Sequence, residues 1–159
     1  MGLLQWFTRV TEDPTLDDPE WPDRIEALVR QVCAEVIDNG RATVTREILA
    51  GPGDCLSVIP TNPDACEVFV VLDYPTVSYD SATDEMFGDA SERLECLRMD
   101  LEDVLAGRFE WSHRQSGRSL WSVTVLHGEF YRDGVLRRSF SRSGAEPRKA
   151  VARHTFAPY

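Results

Sequence analysis

Hydrophobic positions along this chain change their spacing from segment to segment, and each spacing predicts an element. The most apolar run lies within Cys66 to Tyr74, where Val68 to Leu72 are five consecutive apolar residues. Such a run suits a strand in the middle of a sheet rather than a helix, for which nine residues would be short. It opens after the turn cluster Pro60 to Asp64 and closes at Tyr74-Pro75, because proline removes a backbone donor and biases the residue before it toward an extended conformation. This is the expected central strand.

Upstream, Ile25, Leu28, Val29, Val32 and Val36 recur at helical spacing and predict a first helix over Pro22 to Asp38, stopped by Asn39-Gly40. Arg41 to Ala50 alternates Ala42, Val44 and Ile48 against Thr43, Thr45 and Glu47, which predicts a strand. Gly51-Pro-Gly-Asp54 is read as a turn and Cys55 to Ile59 as a short strand. Three strands joined by short turns pair antiparallel, because parallel pairing needs a longer crossover. From Pro75 to Phe87 the pattern breaks down, and an irregular acidic loop is expected. A second helix follows over Asp89 to Gly107, with Asp89 and Glu92 as a capping pair and Ala90, Leu94, Leu97, Leu101, Val104 and Leu105 as its apolar stripe.

The rest reads as a meander. Arg108 to Arg114 alternates Phe109, Trp111 and His113 with polar residues, and Arg118 to His127 alternates Trp121, Val123 and Val125. A three-residue loop, Gln115-Ser-Gly117, would set Trp111 opposite Trp121 and Phe109 opposite Val123. Asp133-Gly134 is a type I′ hairpin signal turning Glu129–Arg132 into Val135–Phe140. The basic tail from Ser141 lacks strong periodicity, though Lys149 to His154 could form a short helix. The whole predicts an α+β fold, with helices packed on a mostly antiparallel sheet in the order α-β-β-β-α-β-β-β. Residues 1–20 form an N-terminal arm, and residues 21–159 one α+β domain with a basic C-terminal tail.

Charge sharpens this picture. The chain of 159 residues carries a net charge of −10. Residues 1–107 hold seven basic against 23 acidic side chains, a net of −16, whereas residues 108–159 hold ten against four, a net of +6. Overall acidity opposes binding to nucleic acid or an anionic membrane, both of which need a dominant basic surface. The basic half is expected to pack on the acidic half of the same chain or of a second copy. The four cysteines, Cys33, Cys55, Cys66 and Cys96, lie far apart with no C-x-x-C pair, and are expected to be buried, reduced thiols. No run approaches about 20 apolar residues and the start lacks the pattern of a signal peptide, so a cytoplasmic protein is expected. The single lysine beside 16 arginines suggests a bacterial genome rich in G and C.

Catalytic motifs are not found. There is no G-x-S-x-G, P-loop or H-E-x-x-H, and the G-x-G at Gly51 lacks the third glycine and following helix of a dinucleotide site. Asp80, Asp84 and Glu85 lack EF-hand spacing. No catalytic residue, metal ligand or cofactor is therefore assigned, and the expectation is a non-enzyme. His113 is the one histidine considered as a base, because it shares a face with Trp111.

In element order, size and acidity the chain resembles the small acidic chaperones of type III secretion and their secretion-independent relatives, over roughly residues 22 to 155. That resemblance implies a dimer and carries over no functional residue. The function expected is a non-catalytic protein-interaction module, chaperone-like or toxin-neutralising, that binds a basic protein surface. Its candidate partner-binding residues are Glu92, Glu95, Glu102 and Asp103 on the second helix, with the aromatics Trp6 and Phe7 on the arm. The alternative is a small enzyme or small-molecule binder with a pocket lined by Trp111, Trp121 and His113.

Overall fold

The computed structural model describes residues 18–38, 40–49, 53–74, 76–116, 123–141 and 149–159. Two helices and nine strands occur there, and we number them in chain order. Helix α1 (Trp21–Val36) precedes β1 (Ala42–Leu49), β2 (Gly53–Pro60), β3 (Val68–Val71), β4 (Thr76–Tyr79) and β5 (Ala82–Glu85). Helix α2 (Ala90–Leu105) leads to β6 (Phe109–Ser116), β7 (Val123–Arg132), β8 (Val135–Ser141) and β9 (Lys149–Thr155). The fold is α+β, with two antiparallel sheets in place of the single sheet expected.

The first sheet has the order β1-β2-β3-β4-β5, which places β3 at its centre as the apolar run predicts. The second has the order β8-β7-β6-β9. Period-two alternation sorts β3, β4 and β5, while β2 is buried on both faces from Cys55 to Val58: Leu56, Val58, Val68, Val70, Val77, Tyr79 and Ala82 share one face and join α1 residues Trp21, Ile25, Val29 and Val32 in the core. From α2, Leu97, Leu101, Val104 and Leu105 enter the same core, as their helical spacing requires. The second sheet contributes Phe109, Phe130 and Phe140, whose rings meet Tyr79 at centroid distances of 5.3, 5.2 and 6.0 Å. Tyr79 thus joins the two sheets through one aromatic cluster.

Local chemistry sets the helix ends. Asp89 accepts hydrogen bonds from the Ser91 and Glu92 amides at 2.8 and 2.9 Å, while the Glu92 carboxylate accepts from the Asp89 amide at 2.9 Å. This capping box starts α2 where the sequence placed it. Gly107 ends it at φ +69°, and a Cβ there would lie 2.7 Å from the Pro158 nitrogen, so the C-terminal residues run hard against the helix exit. The type I′ turn is also found, with Asp133 at φ 53° and Gly134 at φ 74° between Arg132 and Val135.

Three expectations need correction. Within the expected acidic loop, residues 76–85 form the hairpin β4–β5 around Asp80-Ser81, because Val77, Tyr79, Ala82 and Asp84 alternate into the buried side. The expected C-terminal helix is β9, which pairs antiparallel with β6. The Trp111 register differs as well: Trp111 lies opposite Gly128 and Phe109 opposite Phe130. Putting Phe130 in the core required a longer β6–β7 connection than the minimal loop assumed from sequence. Trp121 falls in that connection, outside the described residues, as do Trp6 and Phe7 of the arm.

Candidate functional site

The predicted partner-binding residues on α2 lie in different settings. Glu95 is exposed, and Glu92 is exposed but engaged in the capping box. Glu102 is partly buried and pairs with Arg132 at 3.2 Å and with Arg98 at 3.9 Å. Asp103 is fully buried, so it cannot face a partner as expected. It accepts instead from Arg137 Nε at 2.6 Å, Arg132 Nη2 at 3.0 Å and Arg108 Nη2 at 2.9 Å.

Asp100, one turn earlier and 1% exposed, receives Arg137 Nη2 at 2.6 Å, Arg138 Nη2 and the Tyr79 hydroxyl at 3.2 Å. Arg138 also reaches Asp84 at 2.5 Å and lies 5.0 Å from the Phe130 ring centroid. The β7–β8 hairpin therefore clamps α2 with three arginines and neutralises its inward carboxylates. Burial raises the Asp84 pKa against the opposing pull of Arg138. Burial opposes the Arg138 charge too, yet its hydrogen bond to Asp100 and the surrounding carboxylates hold its pKa above the ordinary arginine value. The amphipathic rule sends aspartates outward, and these two turn inward because arginines more than thirty residues away meet them.

Of the residues expected to line an aromatic pocket, Trp111 and His113 are described, and β6 places them two residues apart on one face at a centroid distance of 5.1 Å. The structure adds His154 from β9, stacked on Trp111 at 5.3 Å and 22°, and Phe156, 4.6 Å from His154. The Trp111 indole donates to Asp80, in the β4–β5 turn, at 3.0 Å. Sequence reasoning assigned His154 to a helix and so missed its place beside Trp111.

The opposite face of the same sheet carries a cluster that the sequence reading did not select. Glu110 and Glu129 lie directly opposite each other on β6 and β7, beside the pair Ser112 and His127. The Tyr131 hydroxyl lies 3.1 Å from Glu129 Oε2 and 3.3 Å from Glu110 Oε1. His127 Nε2 is 3.4 Å from Glu129 Oε1, and Arg153 Nη1 is 3.3 Å from Glu110 Oε1. Burial, followed by hydrogen-bond sharing with Glu129, raises the Glu110 pKa, while burial beside these carboxylates pushes the Tyr131 phenol up to about 12. Two opposed carboxylates can hold one proton between them. The available signal was His127-Gly-Glu129, a one-residue spacing that puts both polar groups on one strand face.

A concave groove of about 220 Å³ lies between α1 and β1, lined by Cys33, Ala34, Ile37, Ala42 and Val44 together with Arg30, Asp38 and Gly40. All four cysteines are free thiols, and burial pushes Cys33 up to about 11, well into its protonated range at neutral pH. No helix among the described residues is long and apolar enough to cross a membrane.

Comparison with family models, with curated proteins and with solved structures gives no match for this chain.

Proposed function

We propose that the chain is a non-catalytic protein-interaction module, chaperone-like or toxin-neutralising, that binds a basic surface on a partner protein. The reading rests on one observation: the cations of the fold are used internally while many of its carboxylates are not. Arg108, Arg132, Arg137 and Arg138 all pair with carboxylates of the same chain, and so do Arg24, Arg30, Arg41, Arg46 and Arg98. Among the described residues no ion pair involves Glu47, Glu67, Asp73, Glu85 or Glu95, all of them exposed. The basic half of the sequence therefore neutralises buried acid, and the field left at the surface is negative. A cationic protein would be drawn to such a surface and oriented by it.

The test is affinity capture from the source cells, followed by association kinetics at rising salt. A stoichiometric basic protein whose association slows as the Debye length falls from about 10 to about 3 Å supports the reading. A partner with no excess of basic charge overturns it. A retained metabolite would favour the second reading, a small enzyme or small-molecule binder. That reading draws on the opposed Glu110 and Glu129 with His127 beside them, because closely paired carboxylates next to a histidine are common material of acid–base sites.

A further inference from the structure

We infer that the edge of β1 left unpaired among the described residues, together with the groove beside it, is where a basic partner adds an extended segment to the first sheet as a sixth strand. This rests on the interaction-module reading and specifies its surface and mode of binding.

Among the four sheet edges, β5 has only four residues. Strands β8 and β9 each meet their neighbour across a register shift, at Phe130/Tyr131 and at His113/Arg114. Shortness and bulges are the usual devices that keep edges from pairing. Strand β1 has neither, since its eight residues keep an unbroken register with β2 from Ala42↔Pro60 to Leu49↔Gly53.

The direction of its backbone groups follows from one bond. The Thr61 amide donates to the Arg41 carbonyl at 2.9 Å, so odd-numbered residues of β1 face β2. Antiparallel alternation then turns the amides and carbonyls of Ala42, Val44, Arg46 and Ile48 to the open edge. Only the Val44 carbonyl is met there among the described residues, by exposed Arg30 at a long 3.4 Å. Arg46, the charge that could guard the edge, is turned to Asp54 and Glu26 at 2.5 and 2.9 Å.

Side chains point to the same place. Ala42 and Val44 line the groove, and Ile48 on the same face is 87% exposed, the most exposed large apolar residue described. An added strand would lay alternate side chains over these positions and against α1. A second copy of this chain would bring another charge of −10 to an edge whose own strand carries Glu47, an exposed carboxylate with no ion pair among the described residues. A segment alternating apolar residues with lysine or arginine would bring the complementary charge.

The probe is a capped peptide of about ten residues alternating valine and lysine, the length of a long strand. Bound to the full chain at low salt, it should slow hydrogen exchange at the Val44, Arg46 and Ile48 amides. Ile48→Pro deletes an outward amide and leaves the β1–β2 ladder intact, so it should weaken binding roughly tenfold with the melting temperature unchanged. If that variant unfolds, the exchange pattern of the unaltered protein decides. Salt-sensitive binding that protects other amides, or that Ile48→Pro leaves intact, overturns the edge proposal and leaves the acidic module standing. No binding of the peptide at any salt overturns both. Protection of β1 by self-association in the absence of peptide makes a second copy the occupant and overturns the basic partner.

Discussion

Replacing Asp103 by asparagine separates a structural carboxylate from a recognition carboxylate. The residue is fully buried and receives three guanidiniums. Arg108 and Arg132, with side chains 38% and 37% exposed, can turn to water when the charge is removed, at about 1 kcal/mol or less each. Arg137 is only 17% exposed and would keep Asp100 alone. Breaking a buried pair of this kind costs about 3–5 kcal/mol. In a chain of this size each kcal/mol moves the midpoint by roughly 2–4 °C, so Asp103→Asn should lower it by about 6–20 °C. Glu95→Lys, on the exposed side of the same helix, should stay within about 0.5 kcal/mol. Differential scanning calorimetry of both variants is the assay. A midpoint for Asp103→Asn within about 2 °C of the parent would falsify the buried network.

Three further outcomes follow from single contacts. The folded state holds a proton on Glu110 that the unfolded chain has lost above its ordinary pKa, so this group's contribution to stability falls as pH rises through the raised folded value. Glu110→Gln should therefore flatten the stability profile above about pH 4.5, and equal slopes in urea titrations of parent and variant would refute the assignment. Burial raises the pKa of all four thiols, yet Cys96 is less buried than Cys33, Cys55 and Cys66, so iodoacetamide at mildly alkaline pH should label Cys96 first, read by peptide mass spectrometry. A Cβ at Gly128 would lie 2.3 Å from the Phe140 ring, so Gly128→Ala should cost about 1–3 kcal/mol by overpacking, with an unchanged urea midpoint as the contrary result.

What the sequence disclosed was local. The α1 and α2 stripes, the Asp89–Glu92 box and the Asp133-Gly134 turn need only neighbours within one turn of chain, and each lies where the pattern puts it. Strand β9 has no such signal, because Lys149 to Thr155 becomes a strand through pairing with β6 rather than through its own periodicity. The Trp111 register misled because the shortest loop and the alternation of Trp121 agreed with each other, whereas burial of Phe130 against Tyr79 decides the pairing. Asp103 was read as partner-facing because Arg132 and Arg137, which meet it, arrive from a hairpin that no helical pattern can announce. Of the candidate site, the acidity was legible from composition, but its division into neutralised and unneutralised carboxylates was not.

The order of the strands has a kinetic consequence. Strands β1 to β5 are joined in sequence as successive hairpins, and so are β6, β7 and β8. Strand β9 alone skips its predecessors, crossing β7 and β8 in the chain to reach β6, so its pairing must close the longest loop in either sheet. Local pairings form early and distant ones late, because the entropy of loop closure is lost before the contact returns it. Docking of β9 should thus be the slow, final step of folding, and the edge it completes should be the first to open in the native state. Trp111, stacked on His154 across that seam, is the place where the step would be seen as a late change in indole fluorescence.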